Sequence, residues 1–303
     1  MKIIRPLDVT DAVLTDSNLT ETEHSEWSSA TTYALGDNVQ VTTGGVHSIY
    51  ESAQASNLNN DPTDATNIPT WWLLVSATNK WKAFDEKIAD QTVNTASITY
   101  EFTPAEWVNA AAFFNLDATD LNITMTDPTD GEVYNEDYSL VDNTAISNWY
   151  DYFFEPIVRI SETLILDLPN YKDAVIDVSI SVTSGNAEVG EVVLGTQKLI
   201  GDAVFGTSVG IQDYSLKERD TFGNAIITAR DFSSRVEYDL VINTASIRGI
   251  QRTLSDLRAT PIVWTGTDDG DYGTLVYGYY KDFDIVISEP VTSRATIEVE
   301  GLT

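Results

Sequence analysis

The sequence predicts a mainly β protein, and three observations carry that reading. Hydrophobic and polar residues alternate in run after run, turn-forming clusters separate the runs, and only three short stretches show helical spacing. The expected architecture is a small β module with an aromatic core, a β-sandwich, and a β-rich C-terminal domain with one short helix. An arm spans 1–26, the aromatic module 27–78, a linker helix and sandwich 79–194, and an assembly domain 195–303.

The aromatic module carries Trp27, Tyr33, Tyr50 and the pair Trp71-Trp72. So short a segment has little aliphatic interior, so rings that each cover ~150–250 Å² must supply much of its buried area. Gly36-Asp37 makes a tight turn into a strand through Val39 and Val41. For Trp27, Tyr33, Tyr50 and Trp72 core packing competes with ligand stacking. Neighbours on a strand face opposite ways, so a buried Trp72 implies an exposed Trp71, a ligand or partner candidate. His47, in the loop Gly44-Gly-Val-His-Ser48, reads as a surface residue.

A polar stretch from Asn57 to Asn67 and the Trp pair mark a break near residue 78, and Trp81, Phe84 and Ile88 predict a linker helix. Strands follow at Ile98-Tyr100-Phe102, Leu121-Ile123-Met125 and Ile176-Val178-Ile180-Val182, each with period two. Between the first two, Thr103-Pro-Ala-Glu106 reads as a capping box opening a helix through Trp107 and Phe114. Asp127-Pro-Thr-Asp-Gly131 is a turn. For Tyr150-Asp-Tyr152-Phe153-Phe154, packing inside the sandwich competes with ligand contact.

Gly190, Gly195 and Gly201 mark a second break at 190–200, followed by strands at Val236-Tyr238-Leu240-Ile242, Phe283-Ile285-Ile287 and Ala295-Ile297-Val299. Ile250, Leu254 and Leu257 predict a helix near which Arg248, Arg252 and Arg258 fall, with Arg248 and Arg252 on one face. These arginines are candidate assembly contacts, against the alternative of a solvated face. Asp268-Asp-Gly-Asp271 reads as a hairpin turn, with a calcium loop as the competing reading.

Composition excludes whole classes of function. The formal charge of −30 opposes approach to a phosphate backbone, so nucleic acid is not an expected partner. With no cysteine there are no disulfides and no thiolate chemistry. Gly206-Thr-Ser208-Val-Gly210 matches a serine-hydrolase elbow, but no histidine follows His47 to act as base, so it reads as a glycine-rich loop. No catalytic residues, metal site or cofactor are expected. The opening Met1-Lys-Ile-Ile-Arg-Pro6 lacks the apolar core of a signal peptide and no segment reaches the ~20 apolar residues of a span, so neither membrane insertion nor general secretion is expected. The charge is uneven: ten acids and no lysine or arginine lie between Arg5 and Lys80, whereas ten basic residues face sixteen acids from Lys198 onward. That division predicts acidic, water-facing modules and a C-terminal region that contacts protein through Arg219, Arg230, Arg235 and the three helix-associated arginines.

The order Trp27, Tyr33-Ala-Leu-Gly36-Asp37-Asn-Val39, Tyr50, Pro62 and Trp71-Trp72 resembles small carbohydrate-binding modules of the chitin-binding type-3 kind. The resemblance covers about one sixth of the chain and implies sugar stacking on aromatic rings. The segment after Tyr50, Glu-Ser-Ala-Gln-Ala-Ser56, lacks the tryptophans such modules often carry there. Along the whole chain, Ile3-Ile-Arg-Pro-Leu-Asp-Val9, Ser76-Ala-Thr-Asn-Lys-Trp-Lys-Ala-Phe-Asp85, Trp149-Tyr-Asp-Tyr-Phe-Phe-Glu-Pro156 and Tyr277-Gly-Tyr-Tyr-Lys-Asp-Phe283 resemble tailed-bacteriophage structural proteins of the tail tip or baseplate. The resemblance implies a non-enzymatic virion component made in the bacterial host cytoplasm. Its implied partners are tube, hub or distal tail proteins, further copies in a homo-oligomeric ring, and a cell-surface glycan. The alternative is a free carbohydrate-binding protein.

Overall fold

The computed structural model describes residues 1–142, 147–154, 158–269 and 271–303. The protein is mainly β, with curled antiparallel sheets and one helix longer than two turns among the described residues. Its largest sheet has ten strands. From one edge it runs Glu162–Ile165, Ala110–Phe114, Glu191–Leu199, Lys2–Pro6, Ile262–Thr265, Leu275–Val286, Thr292–Gly301 and Phe232–Asn243, whose outer edge is taken by Asp202–Ala203 and Ser208–Asp213.

A five-stranded sheet packs against part of it, in the order Gly131–Ser139, Asp120–Asp127, Val175–Val189, Thr92–Phe102 and Leu14–Ser17. Here the period-two pattern fixes the register: Ile180 lies opposite both Ile98 and Leu121, Val178 opposite Tyr100 and Ile123, and Ile176 opposite Phe102 and Met125. These rows share one buried face and meet Ala111, Phe113, Val192 and Leu194 of the large sheet, which makes a β-sandwich core. The helix Ile247–Asp256 covers the other half of the large sheet, burying Ile250 and Leu254 against a cluster that includes Trp264, Tyr238 and Ile297.

Two expected helices are not helices. The capping-box segment does not open one, because Ala105 takes a left-handed conformation (φ 51°) and Ala110–Phe114 is a strand buried throughout. Both its faces are covered: Ala111 and Phe113 enter the sandwich core, while Ala110, Ala112 and Phe114 join a cluster with Ile4, Val193 and Tyr277. A strand covered on both faces loses the alternation that identifies strands, and an unbroken apolar run reads equally well as helix. The linker helix shrinks to the single 3₁₀ turn Lys82–Phe84, since Glu86 at φ 61° ends it.

The expected arm 1–26 is not peripheral. Lys2–Pro6 pairs with Glu191–Leu199 on one side and Ile262–Thr265 on the other, burying Ile3 and Ile4 in different clusters. Leu14–Ser17 adds the edge strand of the five-stranded sheet. The boundary expected at 194/195 falls inside the strand Glu191–Leu199, so the sandwich and the C-terminal region share one sheet. Gly195 is there for close approach rather than as a break: a Cβ would come within 2.0 Å of the Arg5 carbonyl.

Candidate functional site

The aromatic module is built on the three-stranded sheet Asn38–Val41, Ser48–Ser52 and Trp72–Ala77, beside a short pair of strands, Thr32–Tyr33 and Asn57–Leu58. All five aromatic candidates are brought together, as packing. Tyr33 and Trp72 are buried edge-to-face with centroids 5.2 Å apart, and Trp27, Tyr50 and Trp71 close over them. The polar handles of the two buried rings are satisfied locally, Trp72 Nε1 donating to the Asn60 carbonyl at 2.8 Å and the Ser28 N–H donating to Tyr33 Oη at 2.7 Å, whereas Trp27 Nε1 has no hydrogen-bond partner among the described residues. Burial pushes the Tyr50 hydroxyl above its ordinary range. Trp71 is half-buried rather than exposed, because it precedes the strand Trp72–Ala77 and folds back onto the cluster instead of alternating with Trp72. The module's exposed apolar surface is aliphatic, formed by Leu35, Leu58, Leu73, Leu74 and Val75.

His47 is buried at 4% exposure, not on the surface. Its Nδ1 lies 2.6 Å from Glu21 and its Nε2 2.9 Å from Asp11, while its ring packs on Trp81 at 4.5 Å. Thr78 Oγ1 also donates to Glu21, at 2.7 Å. The loop that carries His47 thus ties the module to the N-terminal segment and the linker.

Arg248 and Arg252 lie on the exposed face of the helix Ile247–Asp256, with Arg258 exposed just beyond it, and none of the three forms an ion pair among the described residues. Arg235, by contrast, is held within the chain by Glu298 at 3.0 Å. In the aromatic cluster at 150–154, Tyr150, Phe153 and Phe154 are not sandwich packing: they lie with Trp149 on a short helix, Trp149–Phe154, where all four are exposed, and the Tyr152 side chain lies outside the described residues. Gly270 of the Asp268–Asp271 turn lies outside the described residues, and among those described no group of three acidic or histidine side chains is placed to hold a metal ion.

The largest feature that sequence patterning missed is a projecting hairpin. Ser208–Asp213 pairs with the start of Phe232–Asn243, and the ribbon continues as Leu216–Arg219 paired with Ala225–Thr228, a two-stranded sheet of its own. From Leu216 to Arg230 every residue but Asp220 is exposed, including Phe222, Ile226 and Ile227. The tip is well made: Asp220 accepts from the Asn224 side-chain amide and from the N–H groups of Asn224 and Phe222, which holds its carboxyl below the ordinary range, and Gly223 takes φ 87°. Phe205, Val209, Ile211 and Phe232 extend the apolar surface to the hairpin's root. The signal available beforehand was Asp220-Thr-Phe-Gly-Asn224, a cluster of turn-forming residues ahead of the apolar pair Ile226-Ile227. Compared with protein-family models and with curated proteins, the chain matches none.

Proposed function

We propose that the chain is a structural subunit of a tailed-bacteriophage tail tip or baseplate, docking onto further copies of itself in a ring and onto neighbouring tail proteins. The observation that carries this reading is the projecting hairpin. Two strands alone are marginally stable in water, and an apolar surface of this extent favours a partner over solvent. An arm that leaves one subunit to lie on the next is a head-to-tail contact, which closes into a ring when the rotation between subunits closes. The landmarks that resemble tail-tip proteins supply the setting, and the unpaired Arg248, Arg252 and Arg258 offer a second surface to neighbours.

Host-glycan contact is a separate part of the reading and rests on Trp71, the least enclosed position in the aromatic sequence motif's Trp pair. Ring repetition would add such weak contacts as avidity.

The test is sedimentation of the purified chain together with its detection in purified virions. The wild type is expected to form a defined oligomer and to be present in particles. Replacing Phe222 and Ile227 by Ser is expected to abolish assembly while leaving the melting temperature nearly unchanged, since exposed substitutions stay within about 0.5 kcal/mol. A wild-type chain that stays monomeric and is missing from virions would sink the proposal.

A further inference from the structure

A cavity of about 540 Å³ opens where the aromatic module, the linker and the large sheet meet. Its volume is in the range of small-molecule sites, roughly 300–1,000 Å³. Its lining combines the apolar Leu7, Val9, Val46, Leu74, Phe84 and Val192 with the carboxylates Asp8, Asp85, Glu86 and Glu191 and the cations Arg5 and Lys87, of which Lys87 leans on Asp85 at 3.5 Å.

Glu191 sets this cavity apart from an ordinary acidic surface. It is only 3% exposed, it starts a central strand, and its Oε2 has no hydrogen-bond partner among the described residues. The backbone N–H of Glu86 donates toward its carboxylate, and in Asp85 beside it Oδ1 accepts from the Lys87 N–H at 3.1 Å while the buried Oδ2 makes no hydrogen bond and faces the Lys87 ammonium at 3.5 Å. A buried acceptor left unpaired costs on the order of 1–3 kcal/mol, which a donor from a ligand would recover. The cavity's net negative lining disfavours an anion, and the carboxylates are not grouped to hold a metal ion. The complement of an unpaired carboxylate in a partly aliphatic lining is a cation with N–H donors on an apolar stem.

We propose that the cavity binds an aliphatic primary amine in its ammonium form, with Glu191 and Asp85 taking the head and Leu7, Val46 and Leu74 taking the stem. The titratable groups facing Glu191 are Asp85 and Glu86 of the linker, Tyr277 of the large sheet and Tyr100 of the five-stranded sheet. Burial, with the Asp85 and Glu86 charges, holds the Glu191 carboxyl well above its ordinary range, and an ammonium beside it favours the ionised form, so binding is coupled to release of a proton from this carboxyl.

Calorimetric titration of the full chain with n-butylammonium, in two buffers of different ionisation enthalpy, tests the proposal. The expected result is one site per chain, proton release on binding, and no competition from n-butanol, which lacks the charge, or from tetramethylammonium, which lacks the N–H donors. Glu191→Gln is expected to weaken binding by about tenfold or more, the loss of one charge-assisted hydrogen bond, without lowering the melting temperature. If that variant does not fold, Asp85→Asn serves in its place, with a smaller expected loss. Absence of binding, equal affinity in both the wild type and the folded variant, or displacement of the amine by calcium at stoichiometric amounts would each overturn it.

Discussion

Glu191 and His47 share a property that their sequence neighbourhoods do not show: each is an ionisable side chain enclosed where three parts of the chain meet. Burial raises the Glu191 carboxyl, so the folded state binds a proton there that the unfolded chain has already lost above the ordinary glutamate range. The stability this residue contributes is greatest in acid and declines as pH rises from that ordinary range through the raised value. Asp85, raised chiefly by its own burial, adds a slope of the same sign. Glu191→Gln keeps the shape and removes the ionisation. Urea unfolding at acidic, neutral and mildly alkaline pH should show a shallower fall in stability for this variant than for the wild type, and an unchanged slope would mean that Glu191 is ionised in the folded protein. Neither role was legible in the sequence. Period and composition mark faces of strands, whereas the enclosure of His47 depends on Asp11, Glu21 and Trp81 arriving from elsewhere.

Strands with one wet face were legible, and those with two dry faces were not. Ile176 to Val182 alternates because the five-stranded sheet packs on one side only, while Ala110–Phe114 is apolar at every position because clusters cover both its sides. The helix Ile247–Asp256 was legible for the same reason as the alternating strands, a single buried stripe through Ile250 and Leu254. In the aromatic module the predicted core residues assemble, yet the face expected to carry an exposed Trp71 does not form, since Trp71 lies outside the strand. The two tryptophans should therefore differ in consequence. Trp72→Ala removes a ring with no exposure and a hydrogen bond to Asn60, and is expected to cost about 3–5 kcal/mol, unfolding so small a module. Trp71→Ala should cost less and leave the module folded, which near-ultraviolet circular dichroism would report. Equal loss of aromatic signal in both variants would show Trp71 to be as much a part of the core as its neighbour.

For the whole molecule, the charge division at residue 198 does not coincide with a structural division, because the strand Glu191–Leu199 spans it and lies inside one continuous sheet. Sandwich and C-terminal region are thus expected to unfold together. Ile4→Ala, in the middle of the sheet, should lower stability by about 2–5 kcal/mol and shift circular dichroism and tryptophan fluorescence transitions by the same amount. Two separated transitions, only one of them shifted, would contradict a shared cooperative unit. The strand Lys2–Pro6 also orders events in time. Lys2 leaves the ribosome long before its two partners, Leu199 and Thr265, have been made. At ~5–20 residues per second the wait is on the order of ten seconds or more. Until residue 199 Ile3 and Ile4 have no sheet to enter and until residue 265 only one half of it, so the centre of the molecule is completed late in translation, and a nascent chain stalled before residue 262 would leave one side of Lys2–Pro6 without its partner strand.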